Sequence, residues 1–248
     1  MAKQLQPLRE DMQPLIKYIE RVKLNEFALR APSEKSDNAK HKLDAYNYYS
    51  NQTVAQLPSD LICQFTGESF KRYLVNCSHI FQSRWFAERG IIDLADIHDP
   101  KNLFLLFKPF EVLFDEGRIV FLWEKATGKF KMKVLDPSIL QKTLLDLACK
   151  QFPTEYTPTS SVPPIFNSTM NDLIGSELKF PSGVSPYRRC FAFHTSRALY
   201  EAVNIRKWPV KEDDFPLDDD AWSPGILELP ELKSYIDSWM DKVVDPDN

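Results

Sequence analysis

The chain reads as an α+β protein in which short strands form a small core between helical N- and C-terminal flanks. Two hairpin signals, at Gly67 and at Ala126-Thr127-Gly128, mark strand pairs. Apolar residues recur with helical spacing near both ends of the chain. Between them the continuous apolar run Leu103-Phe104-Leu105-Leu106-Phe107 is followed at once by Pro109, a residue suited to the first turn of a helix.

Taken in order, Leu15, Ile16, Ile19, Val22, Phe27 and Leu29 form a broken helical stripe from about Met12 to Ala31. Asp37 to Gln56, with Tyr46, Tyr48 and Tyr49 amid Asn and Ser, reads as an irregular linker. The hairpin around Gly67 follows, and its strand Leu74-Val75-Asn76-Cys77-Ser78-His79 ends at a histidine where the hairpin gives way to a loop. A helix is expected near Phe81 to Arg89, then a loop carrying Asn102, then the apolar run and a helix from about Lys108 to Phe114. Arg118 to Glu124 and Lys129 to Leu135 pair as a hairpin. Asp136-Pro137-Ser138 opens a helix through Lys150, because an N-cap aspartate before proline is a strong start signal. A connection from 151 to 186, with six prolines, is expected to cross the surface. Helices over Tyr187 to Asn204 and Glu228 to Val244 close the chain. The expected organisation is therefore a flank over 1–57, a core over 58–150, the connection, and C-terminal helices over 187–248 that pack on the core.

Composition sets bounds on what this chain does. Its 248 residues are long enough to bury a full core, and 43% hydrophobic with 27% charged residues is ordinary for a soluble domain. There is no apolar run of the eighteen or so residues that a membrane span needs, and the start Met-Ala-Lys-Gln-Leu-Gln-Pro lacks the apolar stretch of a signal peptide. An intracellular setting, cytoplasm or nucleus, is expected. Four scattered cysteines agree with it, being too few for a disulfide framework. Cys63 and Cys77, fourteen residues apart with no Cys-x-x-Cys pair, are expected to face each other across the hairpin as buried thiols.

The densest signal runs from Cys63 to Gly117: Cys-Gln-Phe-Thr-Gly, then Ser-His-Ile, then Asp-Pro-Lys-Asn-Leu, then Phe-Asp-Glu-Gly. It resembles an HNH endonuclease domain, in the branch with a Cys-x-x-Thr-Gly opening, an Ala/Ser-His-Ile centre and a closing Phe-Asp-x-Gly. The resemblance covers about 75 residues, roughly 60 to 136, and implies a ββα-metal core and hydrolysis of phosphodiester bonds in DNA with a divalent cation. That chemistry needs a base for the attacking water and a cation to neutralise phosphate and leaving-group charge. His79 matches the base, and its neutral imidazole serves near pH 7 when a partner fixes the other ring nitrogen. Asn102 matches the residue that shapes the site. Where the branch has a histidine four residues before the last aspartate, this chain has Glu111, and where many such sites have a ligand before the base it has Ser78. Glu111 and Asp115 are the candidate cation ligands, and carboxylates favour Mg²⁺ or Mn²⁺ over Zn²⁺. The alternative is a catalytically inactive HNH-like module that binds nucleic acid or a protein.

Net charge is −4, yet residues 212–248 hold twelve acids against Lys233 and Lys242, a local −10 that leaves +6 on residues 1–211. Lys71, Arg72 and Arg84 lie within the motif, and alternation places Lys129, Lys131 and Lys133 on one face of a strand that can track phosphates. In the helix after Pro186, His194 can supply an additional imidazole and Arg188 and Arg189 flank the start. The acidic-aromatic stretch around Phe215 to Trp222 is a candidate surface for a basic protein partner or a lid over a basic face.

Overall fold

The computed structural model describes residues 38–82, 92 and 96–217, all within the compact unit Asn38–Ile226. Helices and small antiparallel sheets are mixed along the chain. The helices expected over 12–31 and 228–244, and the one over 81–89 apart from Phe81 and Gln82, lie outside the described residues.

Helix α1, Asn38–Ser50, stands where the sequence suggested an irregular linker. Its apolar face is narrow, resting on Ala45 and Tyr49 one turn apart, which is why no stripe announced it. Tyr49 is buried and its hydroxyl donates to the Leu103 carbonyl at 2.7 Å. Strands β1 (Asp60–Ile62) and β2 (Ser69–Lys71) then pair as a hairpin. The turn between them explains the Cys-x-x-Thr-Gly spacing. Cys63 N–H donates to the Glu68 carbonyl, Gly67 N–H returns to the Cys63 carbonyl, and Thr66 Oγ1 accepts from Glu68 N–H. Gly67 has φ +76°, a left-handed backbone that strains any other residue, and a Cβ there would also displace the Lys179 side chain, whose Cδ it would meet at 2.7 Å.

A short 3₁₀ turn, Arg72–Leu74, redirects the chain into β3, Val75–His79. Strand β3 pairs antiparallel with β4, Leu103–Phe107, in the register His79 opposite Leu103 and Val75 opposite Phe107. Cys77 therefore faces Leu105 and not Cys63, because Cys63 belongs to the separate β1–β2 turn. All four cysteines are free thiols. Strand β4 is buried throughout its length, as its unbroken apolar run requires. Gln64 docks the first turn onto it, donating from its backbone to the Leu105 carbonyl and accepting Leu105 N–H on Oε1.

Helix α2, Lys108–Asp115, follows without a linker and has Pro109 in its first turn. Its end accounts for the Phe-Asp-x-Gly motif. Gly117 N–H donates to the Phe114 carbonyl and Arg118 N–H to the Leu113 carbonyl, a Schellman closure with Gly117 at φ +63°. Strands β5 (Ile119–Glu124) and β6 (Lys129–Val134) form the second expected hairpin, turning through Gly128. The order β3, β4, α2 is consistent with a ββα unit.

Asp136 does cap a turn, but only the 3₁₀ segment Pro137–Ile139. The chain then bridges Thr143 to Thr169, which holds it extended, and helix α3 restarts at Leu144–Gln151 behind a Thr143–Asp146 capping box. The proline-rich connection does more than cross the surface. Phe166, Met170, Leu173 and Leu178 enter the main core, and Glu177 bridges to Lys131 at the edge of β6. Helix α4, Arg188–Tyr200, continues into a π-helical stretch, Glu201–Ile205. It packs Phe191 among Phe104, Phe114, Phe121 and Phe130, so the aromatic centre of the core joins β4, α2, β5, β6 and α4. The opposite face of β5, Val120 and Leu122, is covered by Ala198, Leu199, Ala202 and Phe215. No helix among the described residues is long and apolar enough to cross a membrane.

Candidate active site

Strand geometry fixes the direction of His79. Successive side chains on β3 alternate, so Ser78 is buried in the core while His79 faces away from it. Ser78 Oγ is buried and has no hydrogen-bond partner among the described residues. After His79 the chain leaves the strand, and Asn102 ties the two ends of the departing loop together. Its Oδ1 accepts Phe81 N–H at 2.8 Å, and its Nδ2 donates to the carbonyls of Phe81 at 2.9 Å and Ile97 at 2.8 Å. Its carbonyl accepts Ile80 N–H at 2.8 Å. Asn102 is fully buried, so what it shapes is the backbone on both sides of the loop mouth.

That backbone carries a second histidine. His98 follows Ile97 directly, and Asp99 caps the 3₁₀ turn Pro100–Asn102 by accepting Lys101 N–H at 2.7 Å. His79 Nε2 and His98 Nδ1 are 3.0 Å apart, a hydrogen bond whose donor is set by tautomer. A third histidine, His41, comes from the first turn of α1. Its ring stacks on His98 with centroids 4.1 Å apart and meets His79 edge-on at 5.7 Å. One nitrogen from each ring lies within 4.8 Å of the others. Helix α1 is held there by Tyr49 and by Lys42, whose ammonium donates to the carbonyls of Val75 and, at 3.3 Å, Arg72.

Burial, reinforced by the neighbouring His98 and His41, lowers the His79 pKa to about 4. The imidazole is therefore neutral across the physiological range. Burial likewise lowers the pKa of Lys42, with Lys108 and Arg72 adding to the effect and Cys77 and, least, Glu111 opposing it.

Glu111 and Asp115 stand one turn apart on α2, both half-buried, with Gln82 Nε2 donating to Asp115 Oδ1 at 3.5 Å. Neither belongs to the histidine group. His194 sits elsewhere: it is buried, stacks on Phe114 at 3.7 Å and places Nε2 3.0 Å from the Phe114 carbonyl. On β6, Lys129, Lys131 and Lys133 alternate with the buried Phe130 and Met132 and so share one face, and most of the basic residues have partners. Lys71 pairs with Asp60 at 3.0 Å, Lys131 with Glu124 at 2.7 Å and Lys129 with Glu177 at 3.8 Å. Arg72 reaches the Leu57 carbonyl, Lys133 is half-buried opposite Val120, Arg188 covers the Trp123 ring and Arg189 the Tyr187 ring. Arg84 lies outside the described residues. Of the acidic-aromatic stretch, Phe215 is buried against β5 and α4, and residues 218–222 lie outside the described residues.

His41 and His98 were not singled out from the sequence. The available signal was scarcity, since three of the chain's four histidines meet here.

No curated protein and no solved structure matches the chain. One family model does, over about a quarter of its length. Residues 63–122, the segment that carries His79, His98, Asn102, Glu111 and Asp115, match the HNH endonuclease family.

Proposed function

We propose that the chain is a metal-dependent endonuclease that hydrolyses phosphodiester bonds in DNA, with His79 as general base. The observation that carries this reading is the position of His79. It ends the first strand of a strand–strand–helix unit, inside the segment matched by a nuclease family, and its ring is neutral and anchored. When His79 donates from Nε2 to His98 Nδ1, the lone pair on His79 Nδ1 is left to accept the proton of an attacking water. The imidazolium then formed keeps its Nε2–H bond to His98, which holds the ring in place through the step. Asn102 positions both partners by pinning the residues next to each. A divalent cation, generally bound by HNH enzymes, supplies charge neutralisation at the phosphate and the leaving oxygen. Glu111 and Asp115 fit a hard cation by chemistry and by sharing a helix face, so Mg²⁺ or Mn²⁺ is the proposed cofactor.

A second reading, an inactive HNH-like module that binds nucleic acid or a protein, is favoured by one observation: neither Glu111 nor Asp115, the proposed cation ligands, joins the group of nitrogens around His79. Plasmid cleavage separates the two. The purified chain nicks or linearises plasmid with Mg²⁺ or Mn²⁺, EDTA stops it, and His79→Ala slows it by roughly 10²–10⁴-fold. Equal, near-zero cleavage by parent and variant across several metals would establish the inactive module.

A further inference from the structure

Three segments far apart in sequence deliver an imidazole to one point, and each is independently anchored. His41 is placed by a helix held to Leu103 and Val75, His79 by the β3–β4 ladder, and His98 by the loop that Asn102 clamps. Among the described residues the donor set is nitrogen only. Imidazole suits cations of the zinc class, whereas Mg²⁺ prefers oxygen and retains its waters. Three protein ligands with a further position open to water is a common arrangement for such a cation. His41 lies outside the segment matched by the family, and neither it nor His98 occupies a residue of the motifs.

We propose that His41, His79 and His98 form a binding site for a zinc-class divalent cation, distinct from the carboxylates of α2, and that filling it withdraws His79 from its role as base. The second half rests on the function proposed above, whereas the site itself does not. Binding needs a lone pair from each ring directed inward, so the proton now shared between His79 Nε2 and His98 Nδ1 shifts to an outward-facing nitrogen. Each neutral imidazole keeps one proton and none is released. The lone pair that would take a proton from water is then lost to the ring's new tautomer and ligation. The site thus couples nuclease activity to the free concentration of a soft divalent cation.

Zinc binding is measured on the full chain after EDTA treatment and dialysis, by titration against a chromophoric chelator. Co²⁺ is added in parallel as a spectroscopic probe. The parent is expected to take up about one Zn²⁺ and to give the visible absorption of a tetrahedral Co²⁺ centre. His41→Gln and His98→Gln should each weaken binding by more than the roughly 10–100-fold seen when only a ligand's outer partner is lost. Two variants are used so that a folding defect in one, checked by circular dichroism, leaves the other informative. Cys77, whose thiol burial pushes up to about 12, is a poor competitor for the ion. If either folded variant binds Zn²⁺ as tightly as the parent, the site is overturned. For the second half, cleavage with excess Mg²⁺ is compared with and without one equivalent of Zn²⁺ within each protein. The ratio should fall steeply for the parent and stay near one for His41→Gln. A parent that binds Zn²⁺ and cleaves equally well, or faster, refutes the withdrawal of His79. A parent that binds Zn²⁺ but cleaves under no condition refutes the nuclease function and, with it, the withdrawal, while upholding the site.

Discussion

Replacing Asn102 with alanine should be among the most damaging single changes in the described structure, although Asn102 is fully buried and touches no solvent. Its side chain satisfies three buried backbone groups, the N–H and carbonyl of Phe81 and the carbonyl of Ile97. A buried polar group left without its partner costs about 1–3 kcal/mol. Allowing water to reach one of the three, the two left should cost the variant roughly 2–6 kcal/mol, a large share of the 5–15 kcal/mol typical of a domain. Urea unfolding gives the loss as a shift in midpoint at constant slope. Hydrogen exchange locates it, since the amides of Ile80 and Phe81 should lose protection while those of the β5–β6 hairpin keep theirs. Asn102→Asp is the sharper probe. It keeps an oxygen for Phe81 N–H but turns the other toward two carbonyls, so the folded state favours the protonated acid and raises its pKa. A raised folded pKa contributes stability that is complete below the unfolded value of about 3.9 and lost as pH rises through the folded one. The aspartate variant should therefore approach the parent in acid and fall away toward neutral pH. A loss under about 1 kcal/mol for alanine, or a pH-independent deficit for aspartate, would refute the clamp.

Three further outcomes are expected. Glu111→Ala should raise the cation concentration for half-maximal cleavage at least tenfold or so, and Glu111→His should shift preference toward softer metals; an unchanged metal titration removes Glu111 from the cation site. In EDTA, stability should climb between pH 4 and pH 6.5, because His79 titrates near 4 when folded and near 6.5 when unfolded. The gain is at most about 3 kcal/mol and should be missing in His79→Gln, while Asp136 and Asp146, held below the usual carboxylate range, act only at lower pH. Gly117→Ala should cost about 1–2 kcal/mol for its left-handed backbone alone, with a further cost where the new Cβ lies 3.2 Å from that of Ala198, read by thermal unfolding.

What the sequence revealed and what it hid follow the range of the forces involved. The Thr66-Gly67 turn, the Gly117 closure of α2 and the β5–β6 hairpin are set by backbone conformations that few residues adopt, and each leaves a mark within five residues. The buried strand Leu103–Phe107 announced itself by composition. Helix α1 did not, because only Ala45 and Tyr49 are buried in the core, Tyr46 and Tyr48 packing at its edge, and Tyr49 and Lys42 bond to distant backbone. Its residues resemble a linker until Val75 and Leu103 are beside them. The same holds at the site. His79 was legible because a strand end and a motif surround it, whereas His41 and His98 acquire meaning only when α1 lands on β3 and Asn102 closes the loop. That closure is visible in the sequence as a lone asparagine before an apolar run, but its three backbone partners lie as many as 21 residues away. A histidine's chemistry is fixed by what stands within a few ångströms of its two nitrogens. For His79 those neighbours are two further imidazoles, and the two roles proposed for the ring, taking a proton from water and holding a cation, exclude each other.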